Sequence, residues 1–117
     1  MSGSKASEPT MLTRDASLTM IERIRRDPVF ARGAFAEAVT VFLGGEPEVA
    51  RAMLRDIAGG TLGFEELSDL TGIPPKSLHR MLSARGNPGM DNLAAIFAAM
   101  SGHLRVDVEA RAKRKAA

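Results

Sequence analysis

The chain has no cysteine, no tryptophan and no tyrosine, and only five phenylalanines among its 117 residues. Without cysteine there is no disulfide framework and no thiolate site for a metal or for redox chemistry. Surfaces that bind single-stranded nucleic acid by stacking need several exposed aromatic rings, so such a surface is not expected. No apolar run approaches the roughly 20 residues needed to cross a bilayer. Residues 1–10 are polar and lack the apolar block of a secretory signal. These absences predict a cytoplasmic protein with no membrane contact and a flexible leader over residues 1–16.

What is present is enough for one domain. A chain of this length buries about 65% of its unfolded surface. The formal net charge is only +2, but it is unevenly spread. From Pro28 to Leu104 there are six basic and eight acidic residues, whereas from Arg105 to Ala117 there are five basic and two acidic. The basic excess therefore sits near the termini. DNA-binding chains gather positive charge on one face; this balance permits DNA binding without arguing for it.

Helical periodicity runs through most of the chain. Ser17 is placed to cap a first helix with Leu18, Ile21 and Ile24 at helical spacing. Arg23, Arg25 and Arg26 follow near its end. Asp27-Pro28 reads as a capping residue followed by proline at the first helical position. The helix it opens carries Phe30, Ala34, Phe35, Ala38, Val41 and Phe42 on one face and stops at Gly44-Gly45. Pro47 opens another, with Val49, Met53, Leu54 and Ile57 inward, and Gly59-Gly60 is the expected end. Neither glycine pair follows a strand or precedes Gly-Lys-Ser/Thr, so neither is a phosphate loop.

Phe64 to Thr71 predicts a short helix with Leu67 and Leu70 inward, broken by Gly72. Pro75 to Ser83 predicts a second, with Leu78, Met81 and Leu82 apolar. A loop follows over Arg85–Met90, in which Gly86 and Gly89 are candidates for approach to phosphate. Asp91 is placed to cap a last helix ending near Ser101-Gly102. The period then changes to two: Leu104, Val106, Val108 and Ala110 alternate with charged residues, a strand pattern. A lone strand needs a partner for its backbone. The expected fold class is all-α, a compact bundle of about five to six helices with a helix-turn-helix and a short C-terminal β-strand. The domain spans residues 17–110, and residues 111–117 form a basic tail.

Two short helices joined at a glycine that tolerates positive φ make a helix-turn-helix. Ser68 is small where the helices approach, and Leu67, Ile73, Leu78 and Met81 are spaced to lock the pair. Such geometry lets the second helix enter a major groove. The segment Leu62–Ser83 resembles the helix-turn-helix of Cro/repressor-like (Xre-type) regulators. The longer stretch Gly63–Met100 is similar to the antidote proteins of toxin–antidote addiction modules. That likeness rests on Leu67, Ser68, Thr71, Gly72, Leu78, Leu82, Ser83 and the Gly86-Asn87-Pro88 loop. It extends upstream to about Phe35. It implies a dimer that binds its own operator and neutralises a small toxin.

Pro74 and Pro75 depart from that family, which has a capping serine at the first of these positions. Groove contact then rests on Lys76, Ser77, His79, Arg80, Ser83 and Arg85. Arg80 suits guanine, and Lys76 guanine or phosphate. His79 and His103 lie far apart in the chain, and no nucleophile–base–orienter set is visible. Glu65, Glu66 and Asp69 complement a helix start. The expectation is a regulator that is not an enzyme and uses no cofactor. Its partners are double-stranded DNA, a second copy, and a small toxin or regulator protein. The alternative is a module that sequesters a toxin or activator, with weak or no DNA binding.

Overall fold

A computed structural model describes residues 15–116. Six helices make up the described chain: α1 (15–26), α2 (Pro28–Leu43), α3 (Pro47–Gly60), α4 (Gly63–Thr71), α5 (Pro75–Met81) and α6 (Met90–Leu104). The expected leader lies, up to residue 14, outside the described residues, while Asp15 and Ala16 are already helical.

Helix starts follow local chemistry. The Asp27 carboxylate accepts from the Val29 and Phe30 amides, both at 3.1 Å. Pro28, with no amide to lose, follows it. A cap of this kind contributes about 1 kcal/mol. Pro47 and Pro75 likewise open α3 and α5.

Helix ends depend more on the neighbours. Gly45, at φ +88°, makes the left-handed exit from α2. Its amide donates to the Phe42 carbonyl and the Glu46 amide to the Val41 carbonyl, the paired bonds of a Schellman motif. Gly59-Gly60 are the last two residues of α3, which ends where expected, but neither makes a left-handed exit. A β-carbon on Gly60 would fall 2.7 Å from a methyl of Ile24 and 2.8 Å from the Ile21 carbonyl. Gly60 is small because α1 crosses there. Ser17 does not cap α1: it lies within that helix and its hydroxyl donates to the Asp56 carboxylate on α3. Burial holds the Asp56 carboxyl above its ordinary value of 3.8; the Ser17 bond and the Arg55 charge oppose the shift.

The core joins all six helices. Phe35, Leu54, Ile57, Leu67, Leu78, Leu82, Ile96 and Met100 are fully buried. Phe97 of α6 meets Phe35 and Phe42 of α2, with ring centroids 6.0 and 5.6 Å apart. Arg23 lies over the ring of Phe30 at 3.9 Å, joining α1 to α2. Two expected inward residues are not inside: Val49 is 41% exposed and Leu70 55% exposed. Ala50 and Ala58 join Leu54 and Ile57 on the inner face of α3.

The C-terminal strand is not formed. Leu104 is the last residue of α6, which runs through Gly102, and residues 106–116 have no regular structure. A ladder needs a second strand, and none exists among the described residues. Asp91 does not cap α6 either. Gly89 stands at that position without a side-chain bond, and the helix begins at Met90. No helix among the described residues is long and apolar enough to cross a membrane.

Candidate nucleic-acid interface

The segment from α4 to α5 is built around Gly72, which has φ +75° and ψ 9°. Its amide donates to the Ser68 carbonyl at 2.8 Å. The Thr71 hydroxyl donates to the Leu67 carbonyl at 2.8 Å and accepts from the Ile73 amide at 3.2 Å. One side chain thus satisfies groups on both sides of the turn. Pro74, at φ −56° and ψ 145°, then carries the extended chain into Pro75. Leu67, Ile73, Leu78 and Leu82 are buried around this turn. Each large aliphatic side chain buried there contributes about 1.5–3 kcal/mol, so the placement of α5 is set by packing.

α5 is seven residues long and ends at Met81, short of the Ser83 boundary. A helix this short is marginal alone, and the carbonyls just beyond its end are held from outside. Arg51 on α3 donates through Nε to the Ser83 carbonyl at 3.2 Å and through Nη2 to the Ala84 carbonyl at 3.0 Å. Arg55, one turn along α3, reaches the Leu82 carbonyl at 3.5 Å. Cations at a helix C-terminus complement its dipole. Gly86 is buried against the same end: a β-carbon on it would fall 2.1 Å from the Met81 carbonyl. Its amide donates to the Ser83 carbonyl, so this backbone is engaged within the fold and not open to phosphate.

The six expected contact residues separate into two groups. Lys76, Arg80 and Arg85 are exposed, and none is in an ion pair with another described residue; the pair found there is His103 with Glu66, at 3.8 Å. Lys76 and Arg80, four apart on α5, share a face. The others are partly committed elsewhere. Ser77 is half-buried. The Ser83 hydroxyl donates to the Arg80 carbonyl at 2.7 Å, which makes it an end-cap for α5. The His79 ring stacks on Phe64, with centroids 3.8 Å apart and planes 16° apart; one face of the imidazole is covered, although the residue is exposed.

Phe64, Arg51 and Arg55 were not expected to belong to this site. Arg51 and Arg55 carry a partial signal, being four apart on one face of α3, but nothing local says that the end of α5 faces them. Around α5 the charges nearly cancel, since Glu65, Glu66 and Asp69 on α4 are also exposed. Among the described residues, no three His, Cys, Asp or Glu side chains are grouped to hold a metal ion.

No protein-family model, curated protein or solved structure matches the chain. The reading of this surface therefore rests on its own residues.

Proposed function

We propose that the chain is a DNA-binding transcriptional regulator of the antidote type, a cytoplasmic binding protein rather than an enzyme, which sets α5 in the major groove. One observation carries the reading: α5 leaves a tight left-handed turn, is anchored by buried Leu78 and Leu82, and keeps Lys76 and Arg80 exposed on one face. A guanidinium on such a face can pair bidentately with guanine, and a lysine can meet guanine or phosphate. Arg85 lies just beyond the helix, where backbone contacts fix register. A homodimer would offer two such helices to half-sites about 34–36 Å apart. A small toxin or regulator protein is the further partner in this proposal.

The test is titration of labelled DNA from upstream of the chain's own gene, at two salt concentrations. Arg80→Ala should weaken specific binding by about 1–3 kcal/mol. Lys76→Ala should weaken binding to all sequences more evenly, with a shallower salt slope. Unchanged affinity in both variants would remove α5 from the interface.

A second reading has its own support. Pro74 and Pro75 offer no amide donors at the leading end of α5, and the acids on α4 would repel phosphate. In that reading the chain is a protein-interaction module that sequesters a toxin or activator. Binding no stronger for operator DNA than for random duplex would favour it.

A further inference from the structure

The chain leaves the core at a fixed point. Arg105 adopts φ +58° and ψ 49°, a left-handed conformation that costs a non-glycine residue about 1 kcal/mol. Its amide donates to the Gly102 carbonyl at 3.3 Å, and the Val106 amide to the Ser101 carbonyl at 3.0 Å. Val106 packs against the core cluster. From Asp107 to Ala116 every residue is exposed. No backbone group of that stretch bonds to other backbone among the described residues. The last anchored side chain therefore starts a run of ten residues with a bare hydrogen-bonding edge.

The side chains of this run have an order beyond alternation. Val106, Val108, Ala110 and Ala112 form one face of an extended chain, the face that Val106 already turns to the core. The opposite face reads Asp107, Glu109, Arg111, Lys113, two acids followed by two bases. That order is self-complementary in an antiparallel pair and self-repelling in a parallel one.

We propose that Asp107–Lys113 is a dimerisation strand that pairs antiparallel with the same segment of a second copy, with Ala110 on the two-fold axis. In this register Asp107 faces the partner's Lys113, Glu109 faces the partner's Arg111, and Val108 faces the partner's Ala112. Symmetry doubles each pair, so four opposite-charge pairs form and no like pair falls within the strand. Every neighbouring register allowed by a two-fold axis places like charges opposite one another. With Val108 on the axis, Asp107 meets Glu109. With Glu109 or Arg111 there, that residue meets its own copy. With Ala112 there, Arg111 meets Lys113. Cross-strand pairs each contribute about 0.2–1 kcal/mol, and like pairs oppose pairing. The proposal is independent of DNA binding, since a chain that never touches DNA could dimerise in this way.

The absence of cysteine makes the register directly testable. Ala110→Cys in the full chain should oxidise to a covalent dimer, because directly opposed strand residues lie within disulfide reach. Val108→Cys and Ala112→Cys should each stay monomeric under denaturing conditions when oxidised alone, and should cross-link when mixed. Light scattering with dilution then reads the charges. Asp107→Lys with Glu109→Arg, or Arg111→Glu with Lys113→Asp, should weaken the dimer at least about tenfold. An equimolar mixture of these two double variants should restore it. Unchanged helical circular dichroism would show that each variant is folded. A parent that is monomeric up to high micromolar concentration overturns the proposal. So does a dimer indifferent to charge reversal, or one that cross-links through Val108→Cys or Ala112→Cys alone.

Discussion

The dipeptide Gly-Gly occurs at two places, Gly44-Gly45 and Gly59-Gly60, each near the C-terminal end of a long helix. The first pair ends α2: Gly45 has φ +88°, and a β-carbon there would meet nothing within 4 Å. The second pair closes α3 without a left-handed angle, and a β-carbon on Gly60 would strike Ile24 and the Ile21 carbonyl of α1. Gly45 is glycine because of the backbone angle, Gly60 because another helix lies against it. A glycine near a helix end is thus no measure of a turn until its neighbours in space are known.

The difference can be tested by adding one methyl group at a time and reading stability from thermal or denaturant unfolding. Gly86→Ala sets the upper end of the scale. Its β-carbon would lie 2.1 Å from the Met81 carbonyl and 2.6 Å from that of Arg80, both backbone atoms that cannot swing aside. A loss of about 3 kcal/mol is expected, and a loss below half of that would mean the loop after α5 relaxes freely. Gly60→Ala should cost about 2 kcal/mol, because α1 as a whole must move. Gly45→Ala should cost about 1 kcal/mol, all of it from the left-handed angle. Equal losses at Gly60 and Gly45 would break the distinction between the two pairs. Gly59→Ala should gain about 0.5 kcal/mol, since its nearest neighbour is the flexible Ile21 side chain at 3.4 Å and alanine favours helix.

Asp56 sharpens the same comparison with the smallest effect, because it meets Ser17 across the α1–α3 contact that Gly60 permits. Its carboxyl is held above the ordinary value, so the folded state binds this proton more tightly than the unfolded chain. The contribution of Asp56 to stability then rises as pH falls through its folded pKa, and is complete near the unfolded value of 3.8. Asp56→Asn should be at least as stable as the parent at pH 7 and should lose more stability than the parent between pH 7 and pH 4. An identical pH response would show that α1 does not desolvate this carboxylate.

Much of the fold was legible because several determinants act within a few residues. Asp27-Pro28, Pro47 and Pro75 mark helix starts that the structure contains, and Gly72 occupies the left-handed position that its turn requires. The structure departs from the local pattern where a local signal competes with a distant partner. Ser17 is of a residue type that caps helices well, but Asp56, 39 residues away, takes its hydroxyl. Leu70 and Val49 fit the helical period, yet the neighbours leave them exposed. Of the candidate contact residues, Lys76, Arg80 and Arg85 are exposed as expected. His79 and Ser83 have partners that spacing did not reveal: Phe64 is fifteen residues before His79, and the carbonyl bonded to Ser83 belongs to a helix whose last turn is shorter than periodicity predicted.

The alternation after Leu104 shows where local reading stops. Its pattern is that of a strand, but a strand exists only when something pairs with it, and the described residues of a single chain offer no second strand. By itself, the order of residues determined the helical character of the core, the proline-marked starts and the left-handed turn at Gly72, because steric limits on φ and side-chain caps act on adjacent residues. The tertiary structure alone decided that Gly60 and Gly86 are contact points, that Arg51 and Arg55 hold the end of α5, and which apolar residues are inside. Those outcomes depend on atoms that meet only after helices distant in the chain have packed.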